Sequence, residues 1–117
     1  MCSLYPHLPQ VKALAQSCEP KLMLLSETRT IENMTNSELN VNGYNLIRCD
    51  AINRHTGGVV IYVKESISAN IIYKYNQKSI WIIAININKG FVNECFCVIY
   101  RGHQSVDSDF AEIFSDL

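Results

Sequence analysis

The sequence predicts an α/β fold that forms one piece of a larger domain. Three observations carry this expectation. Two strand-length apolar runs, at 22–25 and 80–85, need cover on both faces. Apolar residues recur at helical spacing near the two ends of the chain and hardly anywhere between. Only two helices are therefore on hand to cover those strands, so part of the cover is expected from outside the 117 residues.

The first helix is predicted over 8–17, where Leu8, Val11, Leu14 and Ala15 share one side and Gln10, Lys12 and Gln16 take the other. Pro6 and Pro9 fit before it or in its first turn, and Pro20 forbids its continuation. Residues 22–26 follow as a short buried strand that presents Glu27 at its end. From 28 to 43 the chain is polar, shows neither period, and reads as a long surface loop. Residues 44–49 alternate and favour a strand, 50–58 carry turn chemistry through Asn53, Gly57 and Gly58, and the β-branched run 59–63 is the next strand. Three more strands are expected at 71–75, 79–87 and 91–100, joined by hairpin-like connections at Asn76-Gln77 and Asn88-Lys89-Gly90. After Gly102, Phe110, Ile113, Phe114 and Leu117 return to helical spacing behind possible caps at Asp107 or Ser108.

Composition narrows the function. With 48% hydrophobic residues the chain can build a core, which argues against disorder. Ten Lys and Arg against eleven Asp and Glu leave a net charge of -1, so only local basic clusters could contact nucleic acid. Five cysteines without a Cys-x-x-Cys pair read as reduced and mostly buried thiols. Cys95 and Cys97 flank Phe96 at strand spacing, on one face, without the further ligands that a metal needs. No charged segment leads into an apolar stretch at the N-terminus, and no apolar run approaches the roughly 20 residues of a membrane helix. An intracellular protein, nuclear or cytoplasmic, is expected, with no use for the sequon at Asn33.

Glu27 is the first residue that could carry chemistry, because a rigid strand can hold a carboxylate where a loop begins to shape a site. A glutamate that merely returns the chain to water reads the same way. Gly57-Gly58 could admit a phosphate or simply make a turn. Arg48, Arg54 and His55 flank that turn as phosphate contacts or as solubilising charges. Tyr100-Arg101 ends the last strand, pairing a phenol with a cation whose planar fork suits a phosphodiester. Glycine-rich nucleotide cradles are absent from the sequence, and its three histidines have no nucleophile signature beside them.

In order along the chain stand Leu24-Leu25-Ser26-Glu27-Thr28, Val41-Asn42-Gly43-Tyr44, Arg48-Cys49-Asp50, Arg54-His55-Thr56-Gly57-Gly58-Val59 with the strand that follows, and Val98-Ile99-Tyr100-Arg101. This set resembles the endonuclease/exonuclease/phosphatase superfamily, and within it the apurinic-type endonuclease domain of non-LTR retrotransposons. The resemblance runs over nearly the whole chain and over only the N-terminal half of that domain, truncated at both ends. It implies a fragment of a four-layer α/β sandwich, mixed β-sheets flanked by helices. It also implies a Mg²⁺-dependent DNA endonuclease, with a reverse transcriptase downstream in the parent reading frame.

By the same resemblance Glu27 is a metal ligand, Tyr100 stands near the scissile phosphate as a catalytic residue, and Arg101, Arg54, His55 and Arg48 are phosphate or DNA contacts. The metal would stabilise charge on the phosphoryl oxygens while a water attacks in line. Hard oxygen ligands suit Mg²⁺. The chain departs from the pattern in several places. The family's Asn would fall upstream of Met1, Arg29 stands where Trp follows Glu-Thr, and Gly102-His103 replaces Pro-Pro. Gly-Asp-Phe-Asn and Ser-Asp-His, which bring the general base and the remaining carboxylates, do not occur, and Ser108-Asp109-Phe110 comes too soon to stand for them. The expectation is a fragment inactive by itself. The alternatives are a phosphomonoesterase of the same superfamily and a non-catalytic binding fragment.

Overall fold

An α-helix, α1 (Leu4–Cys18), leads into six strands: β1 (Leu22–Ser26), β2 (Tyr44–Cys49), β3 (Val59–Lys64), β4 (Ala69–Gln77), β5 (Ile80–Lys89) and β6 (Val92–Arg101). The computed structural model describes residues 3–53, 55–90, 92–102 and 107–108. The second predicted helix, carried by Phe110, Ile113, Phe114 and Leu117, lies outside them.

α1 starts a full turn earlier than its spacing suggests. Pro6 therefore sits in the first turn, while Pro9 falls inside the helix and removes the donor to the Tyr5 carbonyl. Both Tyr5 and Pro9 are exposed, so water can satisfy that carbonyl. The helix stops at Glu19, whose left-handed backbone (φ 44°) lets its N–H donate to the Ala15 carbonyl at 3.0 Å.

The strands form two three-stranded sheets, in the orders β1-β3-β2 and β4-β5-β6, and every pairing is antiparallel. This corrects the expected four-layer sandwich of mixed sheets flanked by helices. Parallel pairing needs a strand–helix–strand crossover, and the described helix precedes all the strands. The layers are α1 with the 28–43 loop, then the first sheet, then the second.

Alternation along β3 builds two of these contacts at once. Val60 and Tyr62 face Leu4, Leu8, Val11 and Ala15 of the helix, whereas Val59, Ile61 and Val63 face Trp81, Ile83, Ile85 and Ile87 of β5. Every side chain of β3 from Val59 to Val63 is consequently buried, which is why that run carries no polar group but the Tyr62 hydroxyl.

The hairpin between β4 and β5 turns at Lys78-Ser79 rather than at Asn76-Gln77. Both turn residues have positive φ (56° and 57°), as a two-residue turn matched to strand twist requires. The β5–β6 connection likewise comes later than Asn88-Lys89-Gly90, since Asn88 and Lys89 are still paired with Asn93 and Val92, and Gly90 lies in the left-handed region (φ 70°).

The segment 28–43 is not a surface loop throughout. Leu39 and Val41 are buried beneath α1, and Thr28 and Thr30 are buried beside Gly58. Thr35 and Glu38 cap each other reciprocally: the Glu38 N–H donates to Thr35 Oγ1 at 3.1 Å, and the Thr35 N–H donates to Glu38 Oε1 at 3.2 Å. Of the four described cysteines, all free, only Cys49 is buried. Cys95 and Cys97 share a face of β6, as expected, but that face is exposed.

Candidate functional site

Glu27 follows β1 at a point where backbone hydrogen bonds from three segments meet. The Ser3 N–H donates to the Glu27 carbonyl (2.9 Å) and the Leu4 N–H to that of Thr28 (2.7 Å). The N–H groups of Thr28 and Arg29 donate to the carbonyls of Gly58 (3.1 Å) and Gly57 (2.8 Å), and the Ala51 N–H donates to the Thr30 carbonyl (2.7 Å). These bonds hold two non-glycine residues in the left-handed region, Glu27 (φ 50°) and Arg29 (φ 55°), a conformation that costs about 1–3 kcal/mol each.

The double turn brings the two side chains together. Arg29 Nη2 donates to Glu27 Oε1 at 3.1 Å, in an ion pair whose side chains are only 33% and 25% exposed. Arg29 Nε is buried with no partner. Between them Thr28 turns inward, its hydroxyl 3.1 Å from that of Thr30.

Gly57 and Gly58 (φ 94° and 87°) form the facing loop. A Cβ on Gly57 would lie 2.2 Å from the Trp81 indole, so the glycine is required for the ring to pack on the backbone. Trp81 Nε1 donates to the Asp50 carbonyl at 3.1 Å. Its ring lies 5.8 Å from that of Tyr100, its directly paired residue across the β5–β6 hairpin. A continuous set of contacts therefore runs from Glu27 through Arg29, Gly57 and Trp81 to Tyr100.

The basic residues are placed differently. Arg101 follows Tyr100 on β6 and donates through Nη2 to Asp107 Oδ1 at 2.6 Å, in an exposed pair. His55 is exposed in the turn before Gly57, its N–H held by Asn53 Oδ1 at 2.9 Å. Arg54 lies outside the described residues. Arg48 turns away from this group: Nε donates to Asp50 Oδ1, Nη1 to the Met34 carbonyl and Asn36 Oδ1, and Nη2 to the Ile31 carbonyl, all within 3.0 Å.

Two members of the site escape sequence reasoning. Trp81 reads there as one more residue in an apolar run, although a lone tryptophan among isoleucines is itself a signal. Arg29 reads only as a departure from a pattern, because its reach to Glu27 depends on two positive φ angles.

A divalent cation does not fit the described residues. Among them no group of three or more His, Cys, Asp or Glu could hold a metal ion, and a guanidinium lies beside the Glu27 carboxylate. None of the described helices is long and apolar enough to cross a membrane. No family model matches the chain, and no curated protein matches it at a significant level.

Proposed function

We propose that the chain is related to the apurinic-type endonucleases of non-LTR retrotransposons and contributes a DNA-contacting part of such a domain, without hydrolytic turnover of its own. One observation supports this reading most directly. The residues that carry the resemblance, Glu27, Gly57-Gly58 and Tyr100, lie far apart in sequence and still join in one run of contacts. Arg101 follows Tyr100 at one end of that run and His55 precedes Gly57 in its middle, both exposed where a phosphate backbone could meet them.

The lack of turnover follows from the residues at hand. Hydrolysis needs a positioned base within hydrogen-bond reach of the attacking water, and the motifs that would bring one are not in the sequence. Mg²⁺ is the cofactor that this relationship suggests for a whole domain of the kind. A reverse transcriptase in the same reading frame is the partner this relationship suggests.

Purified chain incubated with supercoiled plasmid and Mg²⁺ or Mn²⁺ is expected to leave it un-nicked, while binding a short duplex at low salt and releasing it as salt rises. Robust nicking abolished by Glu27→Ala would overturn the absence of turnover. Turnover of a soluble phosphoester without affinity for DNA would favour the phosphomonoesterase reading.

A further inference from the structure

We infer that Arg29 takes the place of a cation at Glu27, so that the carboxylate is neutralised from within the chain and does not take up a divalent ion. This inference goes beyond the proposed relationship and stands on the geometry of residues 27–30 alone.

The pair is held by backbone, not by two wandering side chains. Five interstrand and loop hydrogen bonds fix residues 27–30, and both members of the pair adopt the uncommon left-handed backbone that brings them together. The contact is 3.1 Å, and both side chains are mostly withdrawn from water, so screening weakens it less than it would an open surface pair. Arg29 Nε is buried without a partner, so the guanidinium is retained here although one of its donors has lost its water.

An incoming divalent ion would meet a fixed positive charge beside its first ligand. Among the described residues it would also find too few further ligands, since Mg²⁺ needs near-octahedral oxygen coordination. The guanidinium satisfies the same carboxylate with no coordination shell to complete.

Mn²⁺ binding followed by electron paramagnetic resonance tests this without any activity readout. The wild-type chain and Glu27→Gln are expected to give superimposable titrations through the millimolar range. Arg29→Gln, which removes the charge and keeps an amide of similar reach, is expected to gain about tenfold in Mn²⁺ affinity, the order that removal of one nearby like charge gives. Adding Glu27→Gln to Arg29→Gln should erase the gain.

Two results overturn the inference: wild-type binding that Glu27→Gln weakens, or an Arg29→Gln chain with the wild-type circular dichroism that gains nothing. Should Arg29→Gln fail to fold, the comparison of wild type with Glu27→Gln decides, and Arg29→Lys, which keeps the charge, must take up no more Mn²⁺ than the wild type. A chain that fails to bind DNA would sink the proposed relationship and leave these titrations unaffected.

Discussion

Tyr62 shows how one side chain can tie helix, loop and sheet together. Its ring is fully buried against α1, and its hydroxyl donates to the Leu39 carbonyl at 2.6 Å, at the point where the 28–43 segment passes under the helix. Burial pushes the phenol up to about 12, with Arg48 opposing slightly. A phenol that ionises later in the folded chain than in the unfolded one, where it titrates near 10, stabilises the fold fully below that value. The contribution is lost as pH rises from about 10 through about 12. The chain is therefore expected to lose stability between these values, and its denaturant midpoint, followed by far-ultraviolet dichroism, should fall as pH rises through them. Tyr62→Phe should lower stability at neutral pH by about 1–2 kcal/mol, because the buried Leu39 carbonyl loses its donor, and should make the alkaline transition less steep. A Tyr62→Phe chain with an unchanged alkaline profile would assign that transition to another group.

At the scale of elements, Arg48 and the segment 28–43 belong together. Arg48 is 14% exposed in its side chain, and its guanidinium reaches Met34, Asn36 and Ile31 across the start of that segment. Arg48→Met keeps the apolar stem and removes every one of these bonds. It is expected to cost about 2–3 kcal/mol, in line with hydrogen bonds to a charged group, and to speed amide exchange from 31 to 41 far more than in β5. Equal exchange in both places would mean that Arg48 does not fasten the segment. The strands themselves are legible in the sequence because β-branched runs and short turns mark them within a residue or two. This segment is not, because its many asparagines hide Leu39 and Val41, which carry it into the core with Met34 packed against them. The mutual capping of Thr35 and Glu38 escapes the reading of this segment as a loop, although their three-residue spacing carries its signature. The Glu27–Arg29 pair was not, since it rests on backbone angles that few residues adopt.

Across the whole molecule, the two sheets meet through side chains: Ile61 and Val63 on one, Ile83 and Ile85 on the other, with the Asp50 carbonyl receiving Asn76 Nδ2 and Trp81 Nε1 at one end. Ile83→Ala should cost about 2–5 kcal/mol and leave a single transition whose midpoint is the same by far- and near-ultraviolet dichroism. Separated midpoints would show that each sheet folds independently. The overall architecture was the least legible feature. Apolar patterning overstates the cover of β1, where Met23 is buried and Leu24 is 37% exposed, and leaves open what covers β5, while the long 27–43 connection lets β1 skip its neighbour in sequence and pair with β3. The candidate site is a product of that skip, since it brings the end of β1 beside the glycines that precede β3.

The sequence contains a single tryptophan, and it is Trp81, seated on Gly57 and facing Tyr100. The molecule thus carries one tryptophan fluorophore, which can be excited at wavelengths where its six tyrosines do not absorb, placed where the glycine loop rests on the second sheet. Any ligand or substitution that lifts that loop would change the polarity around the indole, and the emission of the unlabelled chain would report it from that location alone.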